Sequence, residues 1–199
     1  MSINLDALGF NDVPAAMPGE FQALPADGYI CHVVNAEITN SKAGNLMLVL
    51  YIDIAQGDFK GHFKANLDRV KSFAPDKKWD SNAIYRQLIC DNNDNKKISK
   101  FFKGLISAFQ RSNNNFHLNL LNFDANDLRG LLIGFVFAEE EFTRNGSVYS
   151  RVFPKLPKPV ADIQSGNFSI PQKKSLTDKP AQANDFFAGS TVNSDDLPF

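Results

Sequence analysis

The 199-residue sequence has two cysteines, one tryptophan and no long apolar run. Cys31 and Cys90 stand far apart, with no Cys-x-x-Cys and no nearby histidine pair, so neither a disulfide framework nor a zinc site is expected. Both read as small buried apolar residues. No uninterrupted apolar stretch approaches the roughly 18 residues that a membrane helix needs, so no membrane association is expected. The first ten residues lack both a basic start and an apolar core, which gives no support to a secretory signal or transit peptide and implies a cytoplasmic location. Catalytic motifs are also missing. There is no Gly-x-x-x-x-Gly-Lys-Ser/Thr loop, no Gly-x-Ser-x-Gly elbow and no His-Glu-x-x-His pair. Glu139, Glu140 and Glu141 are adjacent, and neighbouring strand residues point to opposite faces. They therefore read as a solvated strand end before a metal site, and His32, His62 and His117 are isolated. The expectation is a non-enzymatic protein with no metal and no cofactor.

Charge is unevenly distributed although the formal net charge is only −1. Residues 1–55 carry −5, residues 56–111 carry +6, residues 112–159 balance, and residues 160–199 carry −2. A basic centre followed by an acidic end is the pattern of a chain that meets an anionic partner through its middle.

Periodicity divides the chain further. Residues 1–27, with Pro14, Pro18 and Pro25, form an irregular lead-in. Ile30, Val34, Ala36 and Ile38 share one parity and predict a strand over 29–39. Leu46, Leu48, Leu50, Ile52 and Ile54 predict a second strand over 46–54. Gln56-Gly57-Asp58 suits a tight hairpin into a third strand at 59–64. A polar, basic insertion over 68–95 is expected to loop, with a short helix around 82–90. Ile98, Phe101, Phe102, Leu105, Ile106 and Phe109 fall on one helical stripe. Two further strands, at 130–142 and 147–153, flank Asn145-Gly146, a preferred hairpin turn.

Three strands, a helix and two strands give a mainly β fold with an inserted helix, arranged as an OB-like five-stranded barrel over residues 28–159. An open α+β sheet and another small barrel are the alternatives. Residues 160–199, rich in Gln, Ser, Asn, Asp and Lys, form a flexible, disordered acidic tail.

Binding a single strand without sequence preference takes cations for phosphates and aromatic faces for bases. Phe59, Lys60, His62, Phe63 and Lys64 offer both at strand spacing. Either the cations face a groove while the rings fill the core, or an exposed ring stacks a base; an ordinary amphipathic strand is the plain alternative. Lys42, Tyr51, Lys77, Lys78 and Trp79 complete the candidate DNA-binding set, and Phe73, Tyr85 and Tyr149 are further stacking candidates. At the end of the chain, Asp195-Asp196-Leu197-Pro198-Phe199 presents a ring and a terminal carboxylate together. A partner could take the ring in an apolar pocket and pair the carboxylates with a basic rim. A solubilising acidic tail would account for the aspartates but not for an exposed Leu-Pro-Phe end. Asp185-Phe186-Phe187 is a weaker acidic-aromatic element.

That terminal peptide resembles the acidic, Pro-Phe-ending tip of bacterial single-stranded DNA-binding proteins, which recruits helicases, nucleases, primases and recombination mediators. The body is similar to a bacteriophage family of single-stranded DNA-binding proteins encoded beside recombination and replication genes. The matching residues are Ala36-Glu37, Ser41-Lys42, Gly44-Asn45, Met47-Leu48, Gly57 with Phe59-Lys60-Gly61, the helix at 101–109 and Asp127-Leu128-Arg129-Gly130. The resemblance covers residues 28–159; the insertion at 68–95 departs from it. It implies an OB-like fold and a role in DNA replication or recombination in an infected or lysogenic bacterial host, and it assigns no individual DNA contact. The expected partners are single-stranded DNA and, through the tip, replication or recombination proteins, with a homo-oligomer open. The competing expectation is a protein-interaction adaptor that does not itself touch DNA.

Overall fold

The computed structural model describes residues 23–91 and 94–176, together with Asn4 and Asp6. The terminal peptide, Asp185-Phe186-Phe187 and most of the lead-in lie outside the described residues.

β1 (Gly28–Asn40) and β2 (Leu46–Ile54) form an antiparallel pair joined by the turn that carries Lys42. Leu48, Leu50, Ile52 and Ile54 are all fully buried, as their shared parity demands. The next regular element is a helix, α1 (His62–Lys71), where the spacing predicts a third strand. The third strand, β3 (Ile84–Leu88), instead comes from the insertion, at the place where a helix over 82–90 is expected. Its register against β2 runs from Met47↔Leu88 to Tyr51↔Ile84 and buries Tyr85 and Gln87. The open edge of β2 decides the matter: ladder bonds and packing against an existing sheet override a weak local helical preference.

A small ribbon, β4 (Cys90–Asp91) with β5 (Asp94–Ile98), leads to α2 (Lys100–Ser112), where the apolar stripe places it. Ser99 caps α2 by accepting from Phe101 N, and Phe102, Leu105, Ile106, Ala108 and Phe109 are buried. After α2, Asn113 holds the start of the next strand, donating to Leu132 O at 2.8 Å and accepting from Leu132 N at 3.0 Å.

β6 (Leu132–Arg144) and β7 (Ser147–Lys158) are joined by Asn145 and Gly146, with φ of 50° and 76°. Both left-handed values are those of the two-residue turn that Asn-Gly favours. The five-stranded antiparallel sheet has the order β3-β2-β1-β6-β7. It does not close into a barrel. β3 and β7 end the sheet and come within 8 Å at Cα without pairing. The core lies between the inward face of this sheet and α2, and includes Leu105, Phe109, Ile133, Phe135 and Phe137.

Beyond β7 the chain follows the body as far as it is described, where a flexible tail from residue 160 is expected. α3 (Val160–Gln164) sets Ile163 over Gly134, and the ring of Phe168 sits on Gly28 so closely that a Cβ there would stand 2.4 Å from it. Lys174 then bonds to Glu139 O and Glu141 N, adding a short parallel bridge to the edge of β6. Apolar anchors set among polar residues are enough to hold this stretch, which composition averages conceal. Among the described residues no helix is long and apolar enough to cross a membrane.

Candidate nucleic-acid interface

The expected strand at residues 59–64 is displaced by a buried carboxylate. Asp53 is 2% exposed, and it accepts from Ile54 N at 2.8 Å, Phe63 N at 3.0 Å and Lys64 N at 3.2 Å. Two of these donors belong to the first turn of α1, whose N–H groups have no intrahelical partner. An anion at this end also complements the helix dipole. The chain therefore turns through Gly57 and Gly61, both left-handed, and begins a helix at His62.

That helix sends the predicted rings inward. Phe63 is buried and stacks on Phe137, with centroids 6.3 Å apart. Phe59 meets Tyr29 edge-on at 5.9 Å and packs against the core. His62 lies half-buried between Phe59 and Phe63, and burial pushes its pKa below the usual value, with Asp53 and Asp80 opposing the shift. Trp79 is also half-buried against the core, with its Nε1 enclosed and unbonded. Phe63 is thus buried, whereas Phe59, His62 and Trp79 each keep part of their surface exposed.

The predicted cations do reach the surface. Lys42, Lys60, Lys64, Lys77 and Lys78 are exposed, although Lys64 is paired with Asp68 at 2.5 Å. Phe73, 72% exposed in the loop after α1, is the aromatic that accompanies them. Tyr51 lies half-buried on the outward side of β2 and donates to Glu37 at 2.6 Å. Burial and then this acceptor push its pKa up to about 12. The site residues thus separate into a basic α1-to-β3 segment, a lysine on the β1–β2 turn and a bonded tyrosine.

A more concentrated surface lies on the β6–β7 hairpin. Its register pairs Phe142 with Tyr149, Glu140 with Arg151 and Ala138 with Phe153. These residues share one face, because alternate positions on paired strands point the same way. Phe142 and Tyr149 stack with centroids 5.8 Å apart and 29° between planes. The Arg151 guanidinium lies 5.6 Å from the Phe142 centroid and 5.2 Å from that of Phe153. Glu140 fixes it there by an ion pair through Nε and one terminal nitrogen. Tyr149 remains 49% exposed at the outer end of this ladder.

On the opposite face Glu139 and Glu141 hold Lys173 between them, at 2.8 and 3.0 Å. These bonds with Lys173 lower both carboxyl pKa values. The three glutamates therefore alternate as strand geometry requires, two clamping Lys173 and one orienting Arg151.

The spacing argument singles out Tyr149 but misses Phe142, Arg151 and Phe153. The signal is present in the sequence: a two-residue turn at Asn145-Gly146 fixes which residues lie opposite, and so aligns Phe142 with Tyr149 and brings Arg151 beside them.

A family model described as protein of unknown function (DUF669) matches residues 11–110, just over half of the chain. The match spans β1 through nearly all of α2 and ends before the hairpin. No curated protein matches the sequence.

Proposed function

The chain belongs to the family described as protein of unknown function (DUF669), and we propose that it binds single-stranded DNA without sequence preference during phage DNA replication or recombination. The observation that carries this reading is the outward ladder of Phe142, Tyr149, Arg151 and Phe153. Aromatic and guanidinium planes accept any base, since every base offers a π-face. The exposed lysines around α1 supply phosphate attraction that the ladder, neutralised by Glu140, does not.

The sheet order supports an OB-like reading of the fold. It is the order of an OB barrel opened between its third and fifth strands, with α2 inserted before the fourth, and OB barrels are commonly partly open. Recruitment of replication or recombination proteins through Asp195-Asp196-Leu197-Pro198-Phe199 rests on the sequence of that peptide. The bacterial host cytoplasm is the setting that this role requires.

Fluorescence anisotropy with oligo-dT at low salt is the test. The unmodified protein should bind, and Phe142→Ala with Tyr149→Ala should weaken binding by about 10- to 100-fold, the loss expected for one or two base stacks. Absence of oligo-dT binding would overturn the proposal. Equal binding by the double variant would move the interface away from the hairpin.

A further inference from the structure

We propose that the outer edge of β7 pairs with the same edge of a second copy of this chain, residues 148–152 running antiparallel about a two-fold axis through Ser150. This does not depend on DNA binding.

β7 ends the sheet, so no strand pairs with its outer edge among the described residues. The geometry identifies which backbone groups face outward. Lys174 bonds to Glu139 O and Glu141 N from the other side of the hairpin, so the odd-numbered residues of β6 turn their polar groups away from β7. Residues opposite one another in an antiparallel pair either bond to each other or both point outward. Val148, Ser150 and Val152, opposite Thr143, Glu141 and Glu139, therefore direct N–H and C=O to the outer edge.

Soluble proteins blunt such edges with proline, lysine or bulges. β7 has these devices only near the body, at Pro154 and Pro157 and at the irregularity opposite Val136 and Phe137. Residues 147–153 contain no proline and no lysine, and Val148 is 61% exposed. The charge of Arg151 is compensated within its own hairpin by Glu140, so two copies do not repel along this line.

The sequence Val148-Tyr149-Ser150-Arg151-Val152 is complementary to itself when reversed. Pairing about Ser150 sets Val148 opposite Val152 of the second copy and Tyr149 opposite its Arg151. The first is an apolar cross-strand pair and the second a cation–π pair. All three edge-facing residues, 148, 150 and 152, then oppose one another, which is what continued ladder bonding requires. The two aromatic ladders would lie on the same side and run into one another. Five paired residues a side bury less than the roughly 800 Å² per partner of a standard interface, so the association is weak and concentration-dependent.

Ser150→Cys tests the axis directly. Bonded antiparallel partners stand about 5.5 Å apart at Cα, within the reach of a disulfide. Under mild oxidation the full-length variant should form a covalent dimer. Thr143→Cys, also exposed but on the other strand of the hairpin, and the unmodified chain, with Cys31 buried and Cys90 half-buried, should remain near 22.1 kDa. Sedimentation of the unmodified chain should show mass rising with concentration, and Val148→Lys should abolish the rise. Cross-linking of Ser150→Cys no faster than Thr143→Cys overturns the proposal, as does a dimer that Val148→Lys leaves intact.

Discussion

At the start of α1 Phe59 and Phe63 point inward and Lys60 and Lys64 outward, whereas on the β6–β7 hairpin the rings point outward and the cation is fixed among them. The difference follows from what lies beneath each segment. Phe59 and Phe63 stand over a sheet with a core to complete, and burying a large ring there contributes more than any surface use. The hairpin projects past the last β1–β6 pair, Gly28 with Val136, so on the β1 side its outer part has no longer neighbour than the short bridge at Lys174 among the described residues. Among the described residues its rings pair with one another and with Arg151, and they remain partly exposed. Aromatic residues beside cations thus serve opposite ends according to whether a core lies under them.

Exchanging single residues between these regimes gives the largest expected contrast. Phe63→Ala should cost about 3–5 kcal/mol of stability, the usual range for a buried Phe, read by denaturant unfolding. Below its unfolding transition it should still bind oligo-dT nearly as well as the unmodified chain. Tyr149→Ala should do the reverse, leaving the unfolding midpoint close to its original value while affinity falls. If both variants lose stability equally, the hairpin rings are core residues and the contrast collapses.

The same contrast explains what could be read without a structure. The alternation in β2, the stripe of α2 and the Asn-Gly turn are each complete within one segment, and each element forms where the pattern puts it. β1 also forms in place, but a bulge between Val33 and Asn35 puts Cys31 and Val33 in the core instead of Val34, and Ile38 is exposed. The third strand was not legible in that way, because its place depends on two long-range facts. Asp53, on the outward parity of β2, reaches back to cap α1, and β2 needs a partner that only residues 84–88 supply. Neither is visible in local periodicity. The ladder sits between these cases: both strands and their turn were legible, and Phe142, Arg151 and Phe153 emerge once the turn is used to set the register. The ordered stretch at 160–176 escaped because two glycine contacts, Ile163 on Gly134 and Phe168 on Gly28, hold a segment whose composition is polar.

Salt dependence sharpens the division between the regions at a smaller scale. Lys77→Ala with Lys78→Ala should weaken oligo-dT binding several-fold at low salt. It should also reduce the slope of log affinity against log salt by about 1.4, since each single-strand phosphate contact contributes roughly 0.7. Tyr149→Ala should leave that slope unchanged. Arg151, already neutralised by Glu140, should contribute little to it. A slope that responds to the tyrosine but not to the lysines would reverse the assignment of the two surfaces.

The smallest effect concerns pH and separates α1 from the hairpin by stability alone. Burial lowers the folded-state pKa of His62 below its ordinary value of 6.5. Above that value the ring is neutral in both the folded and unfolded chains, and its contribution is fully present. As pH falls below 6.5 the unfolded chain takes up the proton first, so stability declines until the lower folded pKa is passed. The ring is only half-buried, so solvent screening keeps the loss small, on the order of a degree in melting temperature. His62→Gln should flatten this part of the profile between pH 7 and the onset of carboxylate titration. The hairpin has no histidine, so Tyr149→Ala should keep the decline seen in the unmodified chain. A profile that His62→Gln leaves unaltered would place the acid sensitivity elsewhere, and with it the packing constraint that turns the rings of this segment inward.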